Sequence, residues 1–478
     1  MMQLKVTPYV IRKGLNYKEA RLQLKKVDFN QVTYKDGTTI ISFSDCMFQN
    51  LTIENNEEIN FENISVTFFN CIIFRLEVKT ITSKNISIGF HKSVVSGQIE
   101  NGNLSRIDFN NCLIPNSVFL KSVPKVHITH TKENIKLDHW ESLFKQFRVQ
   151  GDNAITAPHR YFISAAKHIH CSSNYDLSPE TYKFKTHLTL TYDHPDDHIE
   201  TAITGFSLQS LSISGKPSGK LSIENTKIDS WFIYNFYPKG DVSFYNITPV
   251  AELSNEDAKI GIHRCNLDKV WFDNVSFDKY PIISFYRTKF SKAIFTSCDF
   301  PDSYARFSKF MEIENVHYPD KIPANYDKAQ YEIFLQLKKA LEDTGNYYES
   351  QKLQAIAHDA LKRIKGISWW DKSILCINGL SNDHGLSIKR PFIGFLVSSI
   401  LLYVLYLMSI HRIFNSNEFD FSLIGYYFSF VDITHRTDFL VKENYFTVWS
   451  LSVDYFTKII VGFFVFQFIA AFRKYGKK

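Results

Sequence analysis

The sequence predicts a mainly β protein built as a stacked solenoid, followed by an α-helical hairpin and two membrane-spanning α-helices. Three observations predict this order. A short motif centred on cysteine recurs through the N-terminal two thirds of the chain, the pattern becomes helical after Pro323, and two long apolar runs follow. The composition agrees with a repeated architecture, because 42 Phe in 478 residues indicate many similar sites that require a large flat side chain.

The repeated motif reads large apolar residue, any residue, polar residue, Cys, any residue, large apolar residue. Its clearest copies are FSDCMF at Phe43, FFNCII at Phe68, FNNCLI at Phe109, IHRCNL at Ile262 and FTSCDF at Phe295. With Cys relaxed to Thr, Ser, Val or Ile, further copies include FHKSVV at Phe90, FDNVSF at Phe272 and FYRTKF at Phe285. Many copies lie roughly 18 to 25 residues apart, and others lie roughly 10 apart, as expected for neighbouring faces of one coil.

A solenoid explains each position of the motif. One coil is too short to bury its apolar face alone, so successive coils must stack. The large residues point inward, the Asn or Asp suits a turn, and the small residue fits a narrow corner. We therefore expect five cysteines to be small buried side chains rather than nucleophiles or ligands. They are Cys46, Cys71, Cys112, Cys265 and Cys298.

On this motif the chain resembles the pentapeptide-repeat family, whose small inward residue is followed two positions later by a large inward Leu or Phe. The resemblance implies a right-handed β-helix that binds or scaffolds rather than catalyses. It covers 29–118 and 220–318 and is degenerate, because family members repeat every five residues without breaks. The expected domains are a first array at 1–119 and a second at 220–320.

Between the two arrays, 120–219 is expected to be an insertion or cap of mixed α and β structure. The stretch 137–149 has apolar residues at helical spacing and predicts an amphipathic helix. The stretch 159–170 is interpreted as a second helix, and the alternating 182–192 predicts a strand.

The segment 321–366 predicts a helical hairpin with its turn at Gly345, which we expect to dock on the end of the solenoid. The next segment, 367–390, begins with an apolar helix that carries Trp369 and Trp370. Tryptophans just ahead of a membrane span are typical of an interfacial helix, and a buried core helix is the alternative.

Two spans are predicted at 391–410 and 449–472. The first contains 19 consecutive uncharged residues, enough to cross about 30 Å of hydrocarbon at about 1.5 Å per residue. The segment 411–448 would face outward, and 473–478 would be a basic cytoplasmic tail.

Basic residues flank both spans on one side: Lys389, Arg390, Arg473 and Lys474. By the positive-inside rule, both ends of the chain lie in the cytoplasm, and the start of the sequence lacks the apolar region of a secretory signal peptide. The expected location is a bacterial inner membrane, crossed twice.

Polar residues within the second span go beyond anchoring. Asp454 and Lys458 are four residues apart and share a helix face, and ionisable groups in a span are costly unless they are paired or face water. Gln467 could bond across helices between subunits. These three residues are the candidates for a pore, although a neutralised pair near the outer interface is the alternative for Asp454 and Lys458. The aromatic 419–432 predicts a re-entrant or interfacial segment.

The pentapeptide SNDHG comprises Ser381, Asn382, Asp383, His384 and Gly385. Neighbouring residues rarely form a catalytic triad, whereas Ser, Asn, Asp and Gly are turn formers. We interpret this stretch as a coupling joint between the interfacial helix and the first span, with His384 as a candidate pH sensor.

The case for an enzyme is confined to one acidic and histidine-rich stretch. Asp193, His194, Asp196, Asp197 and His198 could bind a divalent metal, although a solvated loop is the other interpretation. No phosphate-binding, dinucleotide or hydrolase motif accompanies them. We expect no enzyme and no cofactor, and a net charge of +6 gives no reason to expect nucleic acid.

The overall pattern, from the repeats through LSNDHG to the closing FQFIAAFRKYGK, resembles a group of largely uncharacterised bacterial membrane proteins. Its layout is also similar to membrane effectors of bacterial anti-phage defence. The first hypothesis is a signal-responsive, homo-oligomeric and channel-like effector that contacts membrane lipids and receives a cytosolic protein or small ligand at the solenoid. The second is a passive membrane-tethered scaffold, and the third is a metal-dependent enzyme at 193–198.

Overall fold

The computed structural model describes residues 2–4, 11–13, 16–24, 38–55, 63–81, 85–100, 103–131, 137–174, 185–193, 198–250, 258–307, 325–410, 421–437, 439–440 and 447–476. The chain divides into two compact units, Met1–Ile322 and Pro323–Lys478.

The first unit consists of two 12-stranded parallel sheets. Sheet A contains β1 (Met2–Leu4), β3 (Asn16–Gln23), β5 (Met47–Asn55), β7 (Ile72–Ile81), β9 (Val94–Glu100), β11 (Val118–Lys121), β13 (His159–Ser164), β15 (Thr186–Tyr192), β17 (Ser207–Gly215), β19 (Lys227–Phe236), β21 (Lys259–His263) and β23 (Ile282–Tyr286). Sheet B contains β2 (Ile11–Lys13), β4 (Thr38–Ser44), β6 (Asn63–Phe69), β8 (Ile86–His91), β10 (Leu104–Asn110), β12 (Lys125–His130), β14 (His168–Ser173), β16 (Glu200–Thr204), β18 (Lys220–Glu224), β20 (Val242–Ile247), β22 (Val270–Val275) and β24 (Ile294–Thr296).

Consecutive strands alternate between the sheets, and each strand pairs with the next-but-one strand of the chain. One coil therefore contributes one strand to each sheet, which is the arrangement of a β-solenoid-like fold. This confirms the predicted stacking of coils and explains the two motif spacings. Copies roughly 10 residues apart, such as those at Ile262 and Phe272, occupy the two successive corners of one coil.

Single residues in the left-handed conformation turn these corners. Asp45, Asn70 and Asn111 follow the ends of β4, β6 and β10 with φ between 50° and 52°. Asn and Asp tolerate this conformation best after Gly, which explains the polar position of the motif.

Phenylalanines stack in register between the two sheets. Phe43, Phe68, Phe90 and Phe109 lie opposite one another on β4, β6, β8 and β10. Their ring centroids are 5.1, 5.2 and 5.3 Å apart. Phe48 of sheet A meets the rings of Phe43 and Phe68 edge-on, which places the core between the inner faces of the sheets. The abundance of Phe thus reflects one ladder position repeated from coil to coil.

The expectation of a separate insertion or cap at 120–219 is wrong. Strands β11 to β18 continue the same two sheets through this region, so both motif arrays belong to one solenoid. The stretch 159–170, interpreted as a helix, forms β13 and the start of β14. The predicted strand is confirmed over Thr186–Tyr192.

The insertion in this region is a pair of helices within one coil. It contains α1 (Leu137–Gln146) and α2 (Asp152–Thr156), between β12 and β13. Trp140, Leu143 and Phe144 of α1 pack on four apolar residues, of which three begin β5, β7 and β9 and the fourth lies before β11. These are Met47, Ile72, Val94 and Leu113. The amphipathic helix predicted over 137–149 is confirmed for its first ten residues.

The second unit is helical over its described residues. Helices α3 (Tyr326–Asp343) and α4 (Tyr347–Arg363) form the predicted hairpin. They are followed by α5 (Trp369–Asn382), α6 (Lys389–Ser409), α7 (Ser422–Val431) and α8 (Val448–Gly476). Segments 389–409 and 448–472 are long and apolar enough to cross a membrane, with mean hydropathies of 2.1 and 1.8.

Candidate functional site

The joint at 381–385 is a tight left-handed turn. Helix α5 ends at Asn382, and Asp383, His384 and Gly385 follow with φ of 57°, 54° and 93°. The buried Asn382 side chain accepts the Gly385 backbone N–H at 2.9 Å, and its carbonyl accepts the Ser387 N–H at 2.9 Å. The predicted turn is therefore present and held by its own hydrogen bonds.

Two side chains of this turn attach it to neighbouring helices. His384 is buried against α4, where its Nε2 lies 3.2 Å from Lys362 Nζ and 3.6 Å from Asp359 Oδ1. Asp383 forms an ion pair of 3.1 Å with Arg390 in the first turn of α6. The joint thus connects the hairpin to the start of the first long apolar helix.

The contact of His384 depends on its protonation. A neutral Nε2 can accept from the Lys362 ammonium, whereas a protonated Nε2 can donate only to an acceptor such as Asp359. The pKa of Asp359 is lowered to about 2, first by the hydrogen bond with His384 and then by Lys362. Burial lowers the pKa of the adjacent His358 to about 4, so this ring is neutral at pH 7.

A second polar cluster lies where the segment after α7 meets α8. His435 Nε2 is 2.5 Å from Asp454 Oδ1, and Lys458 Nζ is 3.3 Å from Asp454 Oδ2. Lys458 also donates to the His435 carbonyl at 3.0 Å. The side chains of His435 and Asp454 are only 4% and 2% exposed. Asp454 is therefore paired with Lys458, and His435 is an additional member of the cluster.

Both ring nitrogens of His435 face acceptors, because Nδ1 contacts the Asp432 carbonyl oxygen. The ring of His435 therefore joins the backbone after α7 to the buried carboxylate of Asp454 in α8.

Aromatic packing holds α7 against the long helices. Tyr403 of α6 donates to the Leu423 carbonyl at 2.6 Å, and Ser399 bonds the Tyr427 hydroxyl at 2.7 Å. Phe430 packs against Tyr403 and Tyr406. The described part of 411–448 is thus folded back on α6 and α8, as a re-entrant or interfacial segment would be.

Gln467 is 4% exposed within the single chain. Its Oε1 has no hydrogen-bond partner in the described ranges. The burial places this side chain against helices of its own chain. A bond to another subunit would therefore require these helices to separate, and the predicted role between subunits stays a prediction.

Residues predicted to contact the membrane are solvent-exposed. Trp369 and Trp370 are 69% and 72% exposed, so α5 is not the buried core helix of the alternative interpretation. Lys389 and Arg390 are exposed at the start of α6. Arg473 and Lys474 lie in the last turns of α8, and their side chains are outside the described residues.

One of the proposed metal ligands, His198, is not available to bind a metal ion. His198 is buried, its Nε2 contacts the Thr201 hydroxyl at 3.0 Å, and its Nδ1 accepts the Gly219 N–H at 3.2 Å. Both ring nitrogens are therefore occupied inside the solenoid. Asp193 is exposed, and His194, Asp196 and Asp197 lie outside the described residues. Among the described residues, no group of three or more His, Cys, Asp or Glu side chains could hold a metal ion.

The motif cysteines are buried, as predicted, and act as hydrogen-bond donors. Cys112 Sγ lies 3.2 Å from the Phe90 carbonyl of the previous coil and 3.4 Å from the Asn110 carbonyl two residues earlier. Thr288 makes the same two kinds of bond at its corner. Burial raises the pKa of Cys112, Cys265 and Cys298 to about 12, so these thiols are poor nucleophiles at pH 7.

Four partner residues were missed by the sequence reasoning: His358, Asp359, Lys362 and His435. The first three lie on the polar side of an amphipathic helix, where charged residues are expected in any case. His435 had a usable signal, because it is an ionisable residue in a strongly aromatic segment. Comparison with known protein families, curated proteins and solved structures gave no match to this chain.

Proposed function

We propose that this protein is a two-pass membrane effector whose solenoid receives a cytosolic signal and whose paired helices alter the permeability of the bilayer. The membrane part is supported by the low burial of its apolar helices. Only 28% of the most apolar window of α6 and 22% of that of α8 is buried within the protein. The core helix of a soluble protein would be mostly buried, so these surfaces require lipid or further copies of the chain.

Helix α5 supports the same placement. Besides its two tryptophans, Ile374, Ile377 and Leu380 are more than half exposed. An apolar helix face next to Lys389 and Arg390 suits the boundary between acyl chains and headgroups. In this placement the joint at 381–385 stands at the membrane surface, with the hairpin on the cytoplasmic side.

The observation that favours an effector over a simple anchor is the buried cluster of His435, Asp454 and Lys458. An anchor needs no ionisable groups inside its spans, and such groups are costly and usually functional. The cluster also joins the segment after α7 to α8, so breaking it would release that segment. Because two helices are too few to enclose a pore, the active form would be a homo-oligomer.

Flux through liposomes tests this proposal. We expect reconstituted protein to release a small entrapped dye and to dissipate a potassium-driven membrane potential. Asp454→Ala and Lys458→Ala should each change the rate severalfold, because each removes one charge from the cluster of His435, Asp454 and Lys458. Asp343→Ala, at the exposed end of α3, is the matched control and should behave as wild type. Unchanged permeability in all proteins, with a monomer in detergent, would contradict the proposal.

A passive scaffold is favoured by one observation, the aromatic side chains on the outer faces of the solenoid. Phe69, Phe119 and Trp271 are each more than 40% exposed. Such residues are enriched where proteins bind partners. Replacing α6 to α8 with an unrelated two-helix anchor separates the two functions. Retained activity in cells would support the scaffold, and lost activity would support the effector.

A further inference from the structure

A polar groove with an aromatic wall crosses the outer face of sheet A between β13 and β19. Its volume is about 470 Å³. Small-molecule sites typically measure about 300 to 1,000 Å³, so the groove is large enough for one small ligand.

The groove exists because an aromatic ladder is interrupted. Phe119, Phe162, Thr189, Ser212 and Phe232 occupy one outward register position on successive strands of sheet A. Phe119 and Phe162 are stacked, with centroids 4.7 Å apart and planes 9° from parallel. The next two positions hold only short hydroxyl side chains. The ring face of Phe162 that is turned toward β15 therefore has no aromatic partner among the described residues.

The charge of the groove is positive. Arg160 lies two residues before Phe162 and so projects from the same face of β13. It is exposed, and the described part of the chain offers it no carboxylate partner. Among the residues that the structure describes, no acidic side chain lines the groove. Unpaired guanidinium groups bind phosphates through two parallel hydrogen bonds.

Neighbouring polar groups complete the site. His187 lies beside Arg160 in the ladder and donates from Nε2 to Gln209 Oε1 at 2.9 Å, which orients the ring. The hydroxyls of Thr189, Ser210 and Ser212 form the floor. A ligand that stacks on Phe162 would meet these hydroxyls at its edge.

We propose that this groove binds a mononucleotide, with the base on Phe162, the phosphate on Arg160 and the ribose over the hydroxyl floor. The Cα atoms of residues two apart on a strand are about 6.7 Å from each other, comparable to the separation of base and phosphate in a mononucleotide. An uncharged sugar would leave Arg160 unpaired, and an acidic peptide would lack a flat ring for Phe162. The inference rests on the proposed function only in that the nucleotide would be the signal that the solenoid receives.

Calorimetric titration of the full chain in detergent tests the site. The probes are AMP, adenosine and inorganic phosphate. Arg160→Gln removes the charge, and Thr189→Phe continues the ladder of rings into the gap. Lys125→Gln, an exposed cation on sheet B, is the matched control. The far-ultraviolet circular dichroism of each variant verifies that the sheets are retained.

We expect AMP to bind, and each groove variant to weaken its binding at least about tenfold, the effect of losing one charge-assisted hydrogen bond or one stacking surface. Lys125→Gln should bind as wild type. Absence of AMP binding at about 1 mM would overturn the proposal, and so would equal affinities for AMP and inorganic phosphate. Calorimetry reports nucleotide binding whether or not the protein alters permeability, so the failure of this site and the failure of the proposed function are distinguishable.

Discussion

At the scale of single residues, the corner position of the motif is a hydrogen-bonding position. Cys, Ser and Thr share a small volume and a donor, and the donor joins two carbonyls of adjacent coils at corners such as Cys112 and Thr288. The sequence predicted the small size and the burial of this residue. It did not predict the bonds, because a thiol in a repeat is indistinguishable from any other small apolar group.

Cys112 provides a direct measure of these bonds. We expect Cys112→Thr to retain stability and Cys112→Val to lose about 1 kcal/mol relative to Thr, because the two side chains have the same shape and only Thr donates. Urea unfolding followed by circular dichroism would report the difference. Equal midpoints for Thr and Val would show that the position selects size alone.

Asp359 gives a pH dependence of defined sign. Its pKa is lowered from 3.8 to about 2 in the folded protein, so it stabilises the joint above pH 3.8 and this contribution is lost as the pH falls toward 2. We expect pepsin to cleave the 381–388 segment faster across this interval. Asp359→Asn should abolish the pH dependence, whereas the exposed control Asp343→Asn should retain it. An unchanged profile in Asp359→Asn would remove this residue from the joint.

At the scale of elements, the joint at 381–385 has an unusually restricted backbone conformation. Three consecutive residues adopt positive φ between α5 and α6, and only Gly385 does so without a Cβ. The turn was predictable from its Ser, Asn, Asp and Gly. Its attachment to α4 was not, because His358, Asp359 and Lys362 are distant in the sequence and become neighbours only when the helices pack.

Gly385→Ala tests the joint with an internal control. An added Cβ at Gly385 would meet only the Ala470 carbonyl at 3.7 Å, so the cost is the strain of φ at 93°, about 1 kcal/mol. Gly366→Ala carries the same strain at φ of 98° with nothing within 4 Å, but it lies between α4 and α5. We expect only Gly385→Ala to reduce liposome flux. Equal effects of both variants would indicate general destabilisation.

The misinterpretation of 159–170 belongs to this scale as well. Its apolar residues fit both a helix and two short strands, and local periodicity cannot decide between them. The neighbouring coils decide, because β13 pairs with β15 over its whole length and with β11 over its last four residues. Non-local pairing of this kind is invisible in a twelve-residue window.

At the scale of the whole molecule, the division into Met1–Ile322 and Pro323–Lys478 agrees with the change of sequence pattern after Pro323. The boundary was predictable because solenoid and helical patterns have different periods. The continuity of the solenoid through 120–219 was not, since its middle coils replace the cysteine motif with other apolar residues. Val126 and Ile169 occupy inward positions there without any repeated signature.

Separating the units tests the membrane assignment. A chain of residues 1–322 retains all the described strands and the phenylalanine stack between the two sheets, so we expect it to fold and to remain in the soluble fraction. The full chain should sediment with membranes and resist alkaline carbonate washing, because α5, α6 and α8 expose apolar surface. Release of the full chain by carbonate would contradict a spanning arrangement.

The parallel pairing of each coil with the next sets the length of the solenoid. Twelve strands per sheet give eleven spacings of about 4.8 Å, or roughly 50 Å from the first strand of a sheet to the last. Because each strand pairs only with strands of the adjacent coils, gaining or losing a coil changes this length by one strand spacing and leaves the corner hydrogen bonds of the other coils intact. Relatives of this chain should therefore differ in the length of the solenoid by whole multiples of about 4.8 Å.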